Sequence, residues 1–212
     1  MKASLSENLV TVVSSPTTVI TLIGVVALIL GLMRMKKVEL NARIMAHVGL
    51  AIAMAAILHT ITLYKMPQGG SITLGSMLPI VLLAVFYGKE VGFLTGFLYG
   101  LVNLIQNPFI LHPVQVLFDY PLPFMALGLA GCFKDNILAG TVCGIGIRFL
   151  CHYISGIVFF ASYAPAGMSP YYYSLVFNAS YLIPECIICI ILLRIMPVRR
   201  MEQIIKMENR QA

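Results

Sequence analysis

Seven long apolar segments, joined by short polar connections, run through this chain of 212 residues. Apolar residues make up 59% of the sequence and charged residues only 10%, a balance that does not suit a soluble domain. A helix of about 20 mainly apolar residues crosses the hydrocarbon core of a bilayer. The sequence therefore predicts an all-α integral membrane protein, with spans at 15–33, 43–64, 72–87, 91–106, 113–133, 137–163 and 171–196.

The distribution of positive residues predicts the orientation of these spans, because Lys and Arg are retained on the cytoplasmic side. One side would carry Lys2 and Lys65. The other would carry Arg34, Lys36, Lys37, Arg43, Lys89, Lys134, Arg194, Arg199, Arg200, Lys206 and Arg210. We therefore expect the N-terminus outside and the C-terminus in the cytoplasm. Topology and lipid headgroups account for the net charge of +6, so a nucleic-acid partner has little support.

Small residues recur at helical spacing on several spans. The fourth span carries Gly92, Gly96 and Gly100, a spacing that favours close internal packing of helices. The second span carries two shorter stripes, one made of Gly49 and Ala53 and the other of Ala51 and Ala55. For these two stripes, internal packing and docking on a partner membrane protein are equally good interpretations.

An acidic residue, Asp119, lies inside the fifth predicted span. Ionisable residues within spans are rare and usually mark a functional site. At helical spacing His112, Gln115 and Asp119 share one face, with Tyr120 beside them. This face predicts a binding site for a polar guest that carries positive charge.

Three spans offer polar or bare-backbone groups at one depth. Counted at 1.5 Å per residue, Asp119, Gly156 and Asn178 all lie about 10 Å below the outer surface. On the sixth span His152, Gly156 and Phe160 follow one another at i+4 spacing and form a stripe suited to a flat ring. His152 alone could equally be a histidine satisfied by contacts between helices.

Two further features concern the connections and the buried charges. The connection 66–71 contains Gly69 and Gly70, whose conformational freedom suits a hinged lid.

Arg148 and Glu185 lie at nearly equal depth, about 21 to 22 Å below the outer surface by the same count. We expect this arginine and this glutamate to form a structural ion pair.

Four longer motifs, in this order, are MPQGGSI, HPVQVLFDY, HYISGIVFFASYAPAGMSP and YSLVFNASYLIP. Together they resemble the thiamine-specific S component of energy-coupling-factor (ECF) vitamin transporters, over roughly residues 41–197. The resemblance implies a six-helix bundle that captures thiamine from outside. It also implies partners: a transmembrane T component and two cytoplasmic ATPase subunits.

This resemblance organises the chain into three parts. Residues 1–40 would be an extension with one extra transmembrane helix, 41–197 the six-helix substrate-binding domain, and 198–212 a cytoplasmic tail. In the family pattern the pocket acid corresponds to Asp119 and the pocket histidine to His152. Some members have glutamate at the position of the acid and a stacking tryptophan at the position of Phe160. The resemblance and the depth count together suggest a substrate-binding set of Ser71, Phe109, Gln115, Asp119, Tyr120, His152, Gly156, Phe160, Tyr173 and Asn178.

Thiamine suits these residues chemically. Asp119 would balance the fixed charge of the thiazolium ring, while His152 and Asn178 would bind the aminopyrimidine. Tyr173 and Asn178 are about 140° apart on a regular helix, so both cannot face one pocket squarely. Because Lys65 is the one cation expected at the outer mouth, unphosphorylated thiamine is favoured over its phosphate esters.

The sequence is also compatible with other functions. The chain could bind a thiamine precursor such as a hydroxymethylpyrimidine, or be a membrane subunit that transports nothing. An intramembrane enzyme using Asp119 and His152 as acid and base is a poorer interpretation, because no nucleophile or metal set accompanies them. No cofactor is expected. The sequence contains no phosphate-binding Gly-Lys-Ser/Thr loop, so ATP hydrolysis would have to come from partners.

Overall fold

The computed structural model describes residues 16–35, 41–133 and 135–210, which are mainly helical. Lys2, Lys36, Lys37 and Lys134 of the orientation argument lie outside the described residues. The helices are α1 (Pro16–Met35), α2 (Ala42–Thr60), α3 (Leu78–Tyr87), α4 (Lys89–Gln106), α5 (Pro113–Asp119), α6 (Pro121–Ala126), α7 (Ile137–Phe159), α8 (Pro170–Ile195) and α9 (Val198–Arg210). Two strands, β1 (Thr62–Lys65) and β2 (Ser71–Thr73), form a hairpin, and 3₁₀ turns occupy Leu127–Cys132 and Ala161–Tyr163.

The described helices confirm an all-α membrane protein with several crossings. Apolar helical segments long enough to span a bilayer are Pro16–Arg34, Ala42–Thr60, Pro113–Cys132, Ile137–Phe159 and Pro170–Ile195. A shorter apolar helix covers Leu78–Tyr87. Each of the seven segments expected from the sequence thus contains helix, although several bounds differ.

The third segment differs most, because the predicted helix at 72–87 begins only at Leu78. The residues before it continue from β2 into the bundle. The backbone N–H of Thr73 donates to the Glu185 carboxylate on α8, and a Cβ on Gly75 would lie 2.7 Å from Leu192 on the same helix. Non-helical backbone at this depth is tolerated where it lines a cavity and finds polar partners within the protein.

The fifth segment is broken at Tyr120, between α5 and α6. Tyr120 has φ −120° and ψ −79°, and the next residue is Pro121. Proline lacks the N–H of a regular helical hydrogen bond and clashes with the preceding turn. The acid Asp119 therefore sits at the C-terminal end of a seven-residue helix instead of in mid-span.

The glycine stripe on α4 is confirmed as an internal packing surface. A Cβ on Gly92 would lie 2.7 Å from the Cα of Gly128, and one on Gly100 would lie 2.7 Å from the carbonyl oxygen of Tyr120. A Cβ on Gly96 would collide with the Phe124 carbonyl. Side chains at these positions would force α4 away from the broken fifth segment. The stripe therefore allows α4 to pack closely against the segment that carries Asp119.

The two stripes on α2 have different surroundings. Ala51 and Ala55 are buried against the bundle, whereas Gly49 and Ala53 are exposed. A Cβ on Gly49 would meet no atom within 4 Å. The first pair therefore packs internally, and the second pair leaves a smooth strip on the outer face of α2.

Candidate functional site

A cavity opens at the end of the bundle that carries the β-hairpin and the connections before α5 and α8. It contains about 1060 Å³ not occupied by protein atoms, part of which is open solvent. All ten residues expected from the sequence line it: Ser71, Phe109, Gln115, Asp119, Tyr120, His152, Gly156, Phe160, Tyr173 and Asn178. The structure thus brings the whole set together, while their role in binding remains a prediction.

The carboxylate of Asp119 is the centre of a hydrogen-bond network. Gln115 Nε2 donates to Asp119 Oδ2 at 2.6 Å, and His152 Nδ1 lies 3.2 Å from Oδ1. The Asp119 side chain retains 15% exposure. Since each carboxylate oxygen accepts two hydrogen bonds, each keeps one free acceptor position. The negative charge is held in place without being fully occupied by the protein.

The contact with Asp119 also indicates which ring nitrogen of a neutral His152 carries the proton. A carboxylate accepts, so the proton of a neutral imidazole belongs on Nδ1. Nε2 is then an acceptor, and it is buried without any partner among the described residues. His152 lines the cavity, so this nitrogen is an acceptor beside the cavity whose hydrogen-bonding capacity the described protein leaves unused.

Gln115 and Tyr120 connect the acid to the chain that precedes α5. Gln115 Oε1 accepts from the Leu111 N–H at 2.9 Å, and Gln115 Nε2 also donates to the Phe109 carbonyl at 3.0 Å. The Tyr120 hydroxyl accepts from the Phe109 N–H and donates to the Asn107 carbonyl, both at 2.8 Å. These two side chains mainly fix the shape of the cavity wall.

Asn178 makes most of its hydrogen bonds within the protein. Its amide nitrogen donates to the Ser174 carbonyl at 2.8 Å and contacts the His152 carbonyl at 3.3 Å. Its Oδ1 accepts from the Tyr181 hydroxyl at 2.9 Å. A Cβ on Gly156 would collide with Ser174 Oγ, so bare backbone at this position allows α7 and α8 to approach. The geometry favours a supporting role for Asn178 in the cavity wall.

Aromatic rings surround the mouth. Phe109 and Phe160 stack with centroids 5.6 Å apart and planes 20° apart. Tyr173 is half-buried and packs on Phe177 at 5.7 Å. Tyr173 thus lies at the rim, whereas Asn178 is buried, which agrees with their expected angular separation. α7 ends at Phe159, and Phe160 occupies the position just after it.

The expectation that His112 shares the face of Gln115 and Asp119 is wrong. α5 begins at Pro113, so His112 is its N-terminal cap and accepts from the Val114 N–H. Its ring is exposed and stacks on Phe159 with centroids 5.2 Å apart. The helical spacing argument fails because position 112 precedes the helix.

The expected ion pair between Arg148 and Glu185 is not formed. The nearest charged neighbour of Asp119 is His152, and their 3.2 Å contact is an ion pair only when the histidine is protonated. One Glu185 oxygen accepts from Thr73, and Oε2 has no partner. The Arg148 guanidinium lies 3.9 Å above the Phe124 ring, with Nε and Nη1 unpartnered. Equal depth did not bring the two side chains together, because Glu185 accepts from the Thr73 N–H and Arg148 lies on the Phe124 ring.

Several cavity residues were missed by the sequence reasoning. They include His59, Thr73, Asn103 and Tyr181, and also Arg148 and Glu185, which were expected as an ion pair but not as cavity residues. For His59 the sequence contained a signal, since it is a histidine near the outer end of the second span. In the structure its Nε2 lies 3.4 Å from Asn103 Nδ2. Tyr181 lies one turn beyond Asn178. Thr73 carried no signal, because its contact depends on non-helical backbone.

The fold is that of a multi-pass membrane protein, and a cavity large enough for a small solute lies at one end of its bundle. Residues 45–205 match the thiamine transporter protein family. The chain therefore belongs to this family, in agreement with the resemblance found in its motifs.

Similar proteins include the thiamine transporter ThiT of Bacillus subtilis, 41% identical over 146 residues that cover 61% of this chain and 76% of the relative. ThiT of Lacticaseibacillus paracasei is 26% identical over 140 residues, covering 57% of this chain and 70% of that protein. The solved structure of ThiT from Listeria monocytogenes aligns with a TM-score of 0.61 and 23% identity, over 80% of this chain and 98% of that one. This last likeness concerns the fold.

Proposed function

We propose that this protein captures thiamine in the cavity and is the substrate-specific subunit of an ECF transporter. The partly shielded carboxylate of Asp119, with free acceptor positions inside a cavity, is the observation that carries the proposal. A fixed organic cation is the guest that such a group favours, since charges attract more strongly where water is partly excluded.

The remaining groups fit the rest of the vitamin. His152 Nε2 would accept a hydrogen bond from the amino group of the pyrimidine. Phe109 and Phe160 would contact the rings at the mouth, where a cation–π contact contributes about 0.5–2 kcal/mol. Among the lining residues the Lys and Arg side chains are Lys65, exposed at the rim, and Arg148, whose Nε and Nη1 are buried; a single exposed lysine offers little to a phosphate ester. Unphosphorylated thiamine is the proposed substrate.

Calorimetric titration of the purified full chain tests this proposal. Thiamine, its neutral hydroxymethylpyrimidine precursor and riboflavin would be titrated separately. We expect saturable binding of thiamine, much weaker binding of the neutral precursor, and none of riboflavin. Tighter binding of the precursor than of thiamine would refute the assignment of Asp119 as counter-charge, and no binding of any ligand would refute capture altogether.

The partners and the orientation are part of the same proposal. The exposed strip of Gly49 and Ala53 on α2 offers a flat surface against which a helix of a T component could pack. Two ATPase subunits would supply the energy. Arg34, Arg43 and Lys89, at the helix ends away from the cavity, support an outside N-terminus, a cytoplasmic C-terminus and a cavity open to the exterior.

A further inference from the structure

Helix α1 lies outside the matched family region, which begins at residue 45. It nevertheless packs on the bundle, against α4, α5 and α6. Most of its large side chains are exposed, including Leu22, Ile23 and Val26, as expected for a helix that faces lipid on its outer side. Its inner side therefore makes the contacts with the bundle.

Two glycines, seven residues apart, form the inner contact. A Cβ on Gly24 would lie 2.6 Å from Phe118 Cε2 and 2.9 Å from Leu117 Cδ2. A Cβ on Gly31 would collide with the Met125 side chain. A spacing of seven residues places both glycines on one face of α1, so the helix approaches α5 and α6 too closely for larger residues.

The segment contacted by Gly24 is the one that carries the acid. Phe118 is buried and immediately precedes Asp119. α5 has only seven residues, and its continuation is interrupted at Tyr120. Such a short helix is not stable by itself and depends on packing from outside. α7 contacts α5 at Asp119 through His152, and α1 contacts it at the two preceding residues through Gly24.

We propose that α1 is a brace that holds α5 from outside and thereby positions the Asp119 carboxylate for the cationic ligand. Gly24 is the positioning residue, because it sets how close α1 comes to Phe118 and Leu117. This inference rests on the proposed binding of thiamine at Asp119.

Gly24→Leu in the full chain tests the brace. The larger side chain pushes α1 and α5 apart, and we expect the thiamine Kd to rise about tenfold, which corresponds to about 1.4 kcal/mol. Val25→Leu is the matched control, because Val25 is exposed on the neighbouring face of α1 and its replacement should leave the Kd unchanged. If Gly24→Leu does not yield folded protein, Gly24→Ala is measured in the same way.

A double-mutant cycle with Asp119→Asn separates positioning from a general loss of structure. If the brace acts through the carboxylate, Gly24→Leu should have almost no further effect on the Kd in the Asp119→Asn background. A size exchange, Gly24→Leu with Phe118→Ala, should bind more tightly than Gly24→Leu alone. An unchanged Kd for Gly24→Leu, or the same loss in both backgrounds, would overturn the brace. Failure of the unmodified chain to bind thiamine would instead refute the proposed function.

Discussion

Asp119 combines two properties that conflict in most membrane proteins. A charged group inside a bilayer needs partners, and Gln115 and His152 provide them. A binding group needs free acceptor positions, and the carboxylate keeps these because Gln115 contacts only Oδ2 and His152 only Oδ1, which leaves one position on each oxygen. The acid therefore has protein partners and also keeps the free acceptor positions that the proposed cationic ligand would use.

Replacing Asp119 by asparagine tests the importance of its charge. The amide keeps the size of the side chain and removes the counter-charge, and hydrogen bonds to charged groups contribute about 1.5–3 kcal/mol. We expect the thiamine Kd to rise about 10- to 100-fold, measured by calorimetry. Asp135→Asn, on an exposed residue between the 3₁₀ turn and α7, is the control and should bind like the unmodified chain. Equal affinities would show that the cation is recognised elsewhere.

Glu185 is predicted to stabilise the fold through Thr73. Glu185→Leu would leave the Thr73 N–H buried without an acceptor, which costs about 1–3 kcal/mol. Glu185→Gln keeps an acceptor oxygen and should be less destabilising. Thermal unfolding in detergent should rank the unmodified chain first, Glu185→Gln second and Glu185→Leu last. If Glu185→Leu melts at or above the temperature of Glu185→Gln, the hydrogen bond to Thr73 does not contribute to stability.

The β-hairpin covers the cavity between α2 and α3, and its turn depends on glycine. Met66 N–H donates to the Gly70 carbonyl at 3.0 Å, and Gly69 and Gly70 have φ of +83° and +80°. At Gly70 the turn also lies directly on Tyr181, since a Cβ there would be 2.9 Å from its ring. The connection 66–71 therefore has contacts that suit the hinged lid expected from the sequence.

Gly70→Ala should prevent this hairpin from seating on Tyr181. We expect faster thiamine release in stopped-flow measurements and a higher Kd. Gly167→Ala is the matched control, because Gly167 has φ +84° and open space around it. Both changes carry the backbone cost of about 1–2 kcal/mol for a left-handed residue, but only Gly70→Ala adds the clash. Similar release rates for the two variants would rule out a lid function for the hairpin.

Most of the helices could be predicted from apolar length and helical spacing, whereas the set of cavity residues came from the depth count together with the family resemblance. The internal packing of the glycine stripe on α4 could also be predicted from its spacing. The descent of Thr73 into the bundle was not, because its hydrogen bond joins residues 112 positions apart. For the same reason a depth count placed Arg148 beside Glu185, although neither spacing nor depth reveals a competing backbone donor. Prolines flank α5, yet they did not reveal that the break at Tyr120 would place Asp119 at a helix end.

In the whole molecule, the cavity and the proposed docking surface lie in different places. The cavity lies at one end of the bundle, while the strip of Gly49 and Ala53 lies on the outer face of α2. On the same helix, Ala51 and Ala55 face inward and pack near α3. A substitution on the outer strip can therefore alter contacts with a partner while leaving the cavity residues in place.

Gly49→Trp should separate binding from transport. A bulky ring on the open face of α2 would prevent a partner helix from approaching closely. We expect unchanged thiamine affinity, loss of co-purification with the T component and ATPase subunits, and loss of ATP-dependent thiamine uptake in vesicles. Gly146→Trp on α7 is the matched control, because Gly146 is also exposed with no atom within 4 Å of its Cβ position. Since Gly146 lies on a different helix, its variant should retain the complex and uptake. Equal uptake by both variants would place the docking surface away from α2, whereas weakened thiamine binding by Gly49→Trp would show that α2 couples the outer strip to the cavity.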